Sequence, residues 1–318
     1  MAYELNKKLK GIEPYSPINE NYAVRLDANE SCFNIGDKLG DVIADAVRNI
    51  DFNRYPDPAA ELVTKGFADF YGISPEKCTA GNGSDELISV ILGAFLEKGD
   101  TVLTLSPDFS MYAFYGYVDE LKIKALHKED DLTVDIQKVI DCCNNNNVKA
   151  VIFSNPCNPT SLGVSRNDII KLIKNVFCLV VIDEAYMEFV DDPNSYSMMK
   201  LIKEEIDQPL IIMRTFSKIY GMAGLRVGYV ITSPDMTDHF GKSSNAWNVS
   251  FIGQKTAAAA TKDQEHISMV HDINAKEREK VTKALCDLGC RVYDSQANFI
   301  LFKAPIDTME VYTKLEEQ

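Results

Sequence analysis

The apolar residues of this chain switch repeatedly between two periods. "TVLTLS" (101–106), "VKAVIFS" (148–154), "CLVVID" (178–183), "LIIMRT" (210–215) and "VGYVIT" (227–232) are short, β-branched and nearly continuous, the pattern of strands buried on both faces. Between them, "SDELISVILGAFLEKG" offers Ser84 as an N-cap ahead of first-turn acids and closes on Lys-Gly, and "SRNDIIKLIKNV" repeats apolar residues three and four apart. Strands alternating with helices predict an α/β fold: a mainly parallel sheet with helices on both sides. From about Ser250 to Leu288 the pattern is long and helical; "NFILFKA" then reads as a strand and "TMEVYTKLEEQ" as a last helix. That tail is expected to form a separate, smaller domain.

Composition narrows the function classes. A chain of 318 residues, 46% hydrophobic, can bury a large core and leave room for a second, smaller unit. Its 33 Lys+Arg against 47 Asp+Glu give a formal net charge of -14 with no basic run, which opposes binding to a nucleic-acid backbone. The start "MAYELNKKLKGIEPYSP" has no apolar signal core, and nowhere do about 18 apolar residues follow one another. A cytoplasmic protein with no membrane partner is expected. Cys32, Cys78, Cys142, Cys143, Cys157, Cys178, Cys286 and Cys290 form no CxxC pair and are expected to be reduced and mostly buried. His127, His239, His266 and His271 have no ligand-type spacing, so no metal site is expected. "NNNN" at 144–147 reads as a solvated turn.

Open α/β sheets bind ligands beyond the carboxyl ends of their strands, and four polar segments lie there. "GNGSDE" (81–86) joins a Gly-Asn-Gly turn to Ser84 and Asp85 at a helix start, where free backbone N–H groups can hold a phosphate; alone, it reads more simply as a tight turn with a capping serine. "SNPCNPTSLG" (154–163) has two Asn-Pro steps that shape an irregular loop around Asn158. "VVIDEAY" (180–186) ends an apolar strand on Asp183, with Tyr186 three residues later; alone, Asp183 also suits a capping carboxylate. "TFSK" (215–218) puts Lys218 in the first turn after "LIIMR" and Arg226 eight residues on; alone, Lys218 also suits a solvated loop.

In this order the segments resemble the class I/II, fold type I pyridoxal-phosphate aminotransferases. "LDANES" (26–31), "RYPDP" (54–58), "GNGSDE", "PDFSMY" (107–112), "NPCNPT", "DEAYMEF" (183–189) and "SKIYGMAGLRVGY" carry the likeness, which is strongest to the histidinol-phosphate aminotransferase group. The resemblance implies a seven-stranded large domain over 36–245, an amino-terminal arm with part of a small domain over 1–35, and a linking helix and small domain over 246–318. It implies pyridoxal 5'-phosphate as cofactor and transfer of an amino group between an amino donor and a 2-oxo acid, here histidinol phosphate and 2-oxoglutarate. Transamination of aromatic amino acids and decarboxylation of a phosphorylated amino acid are alternatives on the same scaffold. A cofactor-binding, weakly active dimeric interaction protein is an alternative of another class.

By the same resemblance Lys218, Asp183 and Tyr186 take catalytic roles. Lys218 bonds the cofactor's aldehyde and moves the substrate's proton, with burial and the neighbouring Arg226 favouring the free amine. Asp183 pairs with the protonated pyridine nitrogen, Asn158 and Tyr186 hold the phenolic oxygen, and Phe109 stacks on the ring. Ser84, Asp85, Thr215, Ser217 and Arg226 hold the phosphate. Tyr55 reaches the phosphate of a neighbouring subunit, implying a homodimer with shared sites, and Tyr15 and Asn29 line the substrate pocket. Two departures stand out. Ser161 replaces the usual glycine of Asn-Pro-Thr-Gly, and a local change is expected there. Relatives also continue beyond the "KLEEQ" helix with strands bearing arginines that grip a substrate anion, so an incomplete small domain with an open sheet edge is expected.

Overall fold

The continuous apolar runs become the strands of one sheet in this computed structural model, which describes residues 24–203 and 209–317 together with Lys8, Ile12 and Tyr22. The strands are β1 (Cys78–Gly81), β2 (Thr101–Ser106), β3 (Lys122–His127), β4 (Val148–Ser154), β5 (Leu179–Asp183), β6 (Leu210–Thr215) and β7 (Gly228–Ile231), in the order β1-β7-β6-β5-β4-β2-β3. Neighbours from β3 to β6 run parallel; β7 lies antiparallel to both β6 and β1. Two strands escaped the sequence pattern for physical reasons. β1, "CTAG", carries no large apolar side chain, and β3 is an edge strand, "KIKALH", whose exposed lysines break any apolar run.

Continuous hydrophobicity in the central strands reflects two covered faces. Val180, Ile182 and Ile212 join one cluster with Phe67, Phe216 and Tyr229. Val181, Ile211 and Met213 join the other with Leu87, Ile88 and Tyr112. Helices α1 (Gly36–Arg48) and α2 (Glu61–Tyr71) precede the sheet; α3 (Gly83–Ala94), α4 (Met111–Val118), α5 (Ile136–Asn145) and α6 (Arg166–Asn175) occupy its connections. Short helices α7 (Pro193–Tyr196) and α8 (Met199–Lys203) follow β5. Ser165 caps α6 by accepting from Asp168 N–H. Ser84, by contrast, is not a cap: Asn82 holds that position and Ser84 lies within α3. Glu86 reaches back to the Asn82 N–H at 2.6 Å, so a carboxylate from the first turn closes this end instead.

After β7 come α9 (Pro234–Ser243), α10 (Phe251–Ala260), α11 (Gln264–Asp287) and α12 (Thr308–Glu316). The long helical pattern is therefore two helices, divided where Asp263 caps α11 through the His266 N–H. The strand expected in "NFILFKA" shrinks to β9 (Phe302–Lys303), paired antiparallel with β8 (Arg291–Val292). Arg278 on α11 ties this tail to the sheet unit, donating to the carbonyls of Phe189 and Ala297 at 3.2 Å and to Asp191 at 2.6 Å. All eight cysteines are free, and four of them, Cys78, Cys143, Cys157 and Cys178, are buried. Among the described residues no helix is long and apolar enough to cross a membrane.

One polar cluster braces the carboxyl ends of β5 and β6. Arg214 is buried inside an otherwise apolar strand and bonds Glu184 and Glu188, each at 2.6 Å, with Ser197 and Tyr71 at 3.1 and 3.2 Å. Neighbouring residues of a strand point to opposite faces, so this anchor under Glu184 and Arg214 leaves the flanking Asp183 and Thr215 for the other face. Arg214→Met is expected to destabilise the protein by about 3–5 kcal/mol, because it strands two buried carboxylates. Urea denaturation of the cofactor-saturated protein checks this, and a midpoint unchanged from wild type would refute the bracing role.

Candidate active site

Register brings the polar strand ends together. Ser154 lies opposite Asp183, Asp183 opposite Met213, and Thr215 opposite Gly228, which in turn faces Gly81. The residues after these ends build a cleft from four loops and the start of α3.

Its first part is a cup suited to an anion. Gly83, Ser84 and Asp85 open α3 and carry N–H groups that an α-helix leaves unpaired. Gly83 has φ +81°, and a Cβ there would meet the Arg226 guanidinium at 2.6 Å; a Cβ on Gly228 would meet Ser84 N at 2.7 Å. Only glycines permit this approach. Arg226 itself adopts φ 51° and bonds Asp85 Oδ2 at 3.0 Å and the Ala223 carbonyl at 3.2 Å. The Thr215 and Ser217 hydroxyls lie 2.9 Å apart, and Thr215 Oγ1 accepts from Ser217 N–H.

Lys218 follows in the turn. Its Nζ donates to the Ala28 carbonyl at 2.7 Å and lies 5.7 Å from the Tyr186 ring centre. The turn is closed by Gly221 (φ +65°), where a Cβ would strike the Phe33 carbonyl at 2.6 Å, so the segment around 28–33 packs directly over the lysine loop. The Lys218 ammonium is lowered from the usual lysine range. Burial is the main cause and Arg226 a lesser one, while Glu30, Asp85 and Asp183 oppose the shift.

Asp183 is 5% exposed and accepts from Tyr112 Oη at 2.9 Å and from Ala185 N–H at 3.0 Å. Burial pushes its carboxyl up to about 7, helped by the nearby Asp108 and Asp85 charges and resisted by those two hydrogen bonds. Among the described residues no cationic side chain pairs with it. A buried carboxylate short of positive charge is complementary to a cationic ring nitrogen. Tyr186 is held by Asn29, whose Nδ2 donates to its Oη at 3.2 Å, and its ring meets Phe299 edge-on. Burial pushes the Tyr186 phenol up to about 12, so it keeps its proton and can donate. Asn29, with φ 51°, also accepts at its carbonyl from Asn298 at 3.1 Å, joining the arm to the tail.

Phe109 packs edge-on to Tyr112 at 5.5 Å. Beneath it Asp108 accepts from Phe109 N–H at 2.8 Å and from the Ser154 hydroxyl at 2.5 Å, and Ser154 Oγ accepts from Asn158 N–H at 3.0 Å. Asp108 thus positions both Phe109 and Asn158. Ser161 takes the glycine-like backbone of its loop, φ 60°, while fully buried. Its hydroxyl donates to the Thr160 carbonyl at 2.5 Å, and its own carbonyl accepts from Gln296 N–H at 2.9 Å. The local change expected here is a strained serine compensated by hydrogen bonds, including one to the tail.

The cleft brings together Ser84, Asp85, Phe109, Asn158, Asp183, Tyr186, Thr215, Ser217, Lys218, Arg226 and Asn29. Tyr55 is elsewhere: it is 76% exposed and stacks on Trp247 at 4.4 Å. Tyr15 lies outside the described residues. Tyr112, Asp108, Ala28 and Asn298 were assigned no role from sequence. Tyr112 and Asp108 sit in "PDFSMY" and could have been noticed there; the other two act through a main-chain carbonyl and a distant amide, which leave no motif.

A family model described as Aminotransferase class I and II matches residues 23–318. The chain belongs to this family. A histidinol-phosphate aminotransferase of Clostridium novyi (strain NT) is 38% identical over 303 residues, covering 95% of this chain and 83% of the relative. One from Caldanaerobacter subterraneus subsp. tengcongensis is 34% identical, covering 99% and 88%. Among solved structures, histidinol-phosphate aminotransferase from Sinorhizobium meliloti in complex with pyridoxal-5'-phosphate superposes with a TM-score of 0.84 at 27% identity, covering 91% of this chain and 78% of that one. An aspartate aminotransferase from Thermus thermophilus, at 19% identity and a TM-score of 0.82, shares the aminotransferase fold.

Proposed function

We propose that the chain is a pyridoxal-phosphate aminotransferase that moves the amino group of histidinol phosphate to 2-oxoglutarate, yielding imidazole acetol phosphate and glutamate in histidine biosynthesis. The substrate rests on the 38% identity to a histidinol-phosphate aminotransferase across nearly the whole chain. The cofactor rests on the cleft: an anion cup that only glycines permit, and a buried carboxylate with no cation among the described residues.

Pyridoxal phosphate, when bound, supplies an aldehyde that bonds amines and a cationic ring that accepts the electron pair left when an α-proton departs. Lys218 provides the amine that holds the group covalently and, once released, holds and moves the proton at the substrate's α-carbon. Asp183 keeps the ring nitrogen protonated. Tyr186 and Asn158 orient the phenolic oxygen and Phe109 covers a ring face. The α3 N–H groups of Ser84 and Asp85, the Thr215 and Ser217 hydroxyls and Arg226 hold the phosphate. Asn29 fixes Tyr186 on the substrate side, and Tyr15 is assigned to the same pocket.

The assay is single-turnover absorbance of the holoprotein with histidinol phosphate, glutamate, phenylalanine and threonine phosphate, followed by product analysis. A larger kcat/KM for phenylalanine than for histidinol phosphate would replace the substrate, and CO2 release from threonine phosphate would replace the reaction.

Tyr55 supports a homodimer with shared sites, since an exposed tyrosine stacked on a half-exposed tryptophan lies away from its own cleft. Lys218→Ala and Tyr55→Ala chains, each impaired alone, are expected to recover about a quarter of the wild-type sites when mixed, because half of randomly paired dimers carry one intact site. No recovery after verified subunit exchange would remove Tyr55 from the partner's site.

A further inference from the structure

Behind the cleft, Lys128 and Cys157 form a pair that the proposed reaction does not use. Lys128 follows β3 and Cys157 precedes Asn158, and they meet in a hydrogen bond with Nζ 2.8 Å from Sγ. Both are buried, Lys128 with a side chain 2% exposed. The sulfur also lies 3.7 Å from the Pro107 carbonyl, and Lys128 Nζ lies 4.0 Å from Asp108 Oδ2. A cavity of about 260 Å³ is lined by Lys128, Cys157, Ser154, Thr160 and Asp168, room enough for several small polar molecules. Thr160, which also lines the cavity, is fully buried, and its hydroxyl has no partner among the described residues.

We propose that Cys157 and Lys128 are a peroxide-modification site at which an oxidised cysteine is captured as a sulfur–nitrogen cross-link. In the first step the Cys157 sulfur attacks one oxygen of hydrogen peroxide; the O–O bond breaks, the thiol proton leaves with the departing hydroxide as water, and the sulfur becomes a sulfenic acid. Sulfenic acids condense with nearby nucleophiles, nitrogen included. In the second step the Asp108 carboxylate takes a proton from the Lys128 ammonium, and the freed amine nitrogen attacks the sulfur, forming an S–N bond as the S–O bond breaks. Of the three ammonium protons, one leaves with the hydroxyl as water, one passes to the Asp108 carboxylate and one stays on nitrogen. The sulfur has lost two electrons and peroxide has been reduced to two waters. The link ties the end of β3 to the loop bearing Asn158 and removes the cation facing Asp108.

The test treats the cofactor-loaded protein with a modest excess of hydrogen peroxide and maps its peptides by mass. The expected product joins the Cys157 and Lys128 peptides with a loss of two hydrogens, and a thiol reductant separates them. Lys128→Arg keeps a cation but is a far poorer nucleophile; there, Cys157 is expected to persist as sulfenic acid and to be labelled by a 1,3-dione, at least about tenfold more than in wild type. Three outcomes would each overturn the proposal: Cys157 staying reduced while the exposed Cys32 and Cys286 oxidise, Cys157 advancing to sulfinic acid with Lys128 unmodified, or equal dione labelling in both proteins.

Discussion

Lys218→Ala is expected to lower turnover by about 10³-fold or more, the scale of losing a positioned base together with a covalent anchor, while cofactor still binds. The two parts separate because the anion cup at Gly83, Ser84 and Arg226 and the carboxylate of Asp183 do not depend on the lysine. Borohydride treatment of the wild type, followed by peptide mapping, should place the pyridoxyl label on Lys218; Lys218→Ala should carry none. The substitution also removes the bond to the Ala28 carbonyl, a charge-assisted contact of about 1.5–3 kcal/mol, so thermal stability must be measured alongside. Lys218→Arg keeps a cation there and cannot form the bond to the aldehyde. A label on another lysine, the buried Lys128 above all, would sink the assignment.

The legibility of this protein divides along the line between local and long-range information. Strands β2, β4, β5, β6 and β7 were visible because both sides of each strand are covered, so nearly every residue had to be apolar. β1 and β3 were not, one lacking any large apolar side chain and the other alternating exposed lysines at an edge. The cleft was readable where a role needs a fixed local arrangement: Lys218 one turn beyond β6, Asp183 at the end of β5, Ser84 and Asp85 at the start of α3. What could not be read were supports from afar. Arg214 looked like the end of an apolar run, yet it anchors Glu184 and Glu188. Asp108 meets Ser154, which holds Asn158, across 46 residues, and Ala28 meets Lys218 across 190. Ser161 was recognised as anomalous, but its compensating bonds to the tail were not.

Asp183→Asn should keep the site's shape and remove its charge. The amide oxygen can still accept from Ala185 N–H, and the amide nitrogen in the place of Oδ2 can donate to Tyr112 Oη instead of accepting from it, so cofactor is expected to stay bound through the anion cup. The proton-transfer half-reaction is expected to slow by about 10³-fold, equivalent to about 4 kcal/mol in the barrier, because the ring nitrogen loses the anion that keeps it protonated. Stability provides a second reading independent of turnover. The Asp183 carboxyl rises from 3.8 to about 7 in the folded protein, so the folded state binds this proton more tightly than the unfolded chain. Its effect on stability is therefore most favourable below about pH 4, declines as pH rises to about 7 and is level above that, amounting at most to about 4 kcal/mol. Cofactor-free wild type should lose stability across that window more steeply than cofactor-free Asp183→Asn. Asp108, raised to about 6 by burial, contributes a decline of the same sign to both, and because its charge also raises Asp183 the difference between the two curves includes the coupling of this pair. Cofactor places a cation against Asp183 and should flatten the wild-type curve alone. Equal pH slopes for the two cofactor-free proteins would show that burial does not raise the Asp183 carboxyl, and a half-reaction within tenfold of wild type would show that Asp183 does not hold the ring nitrogen.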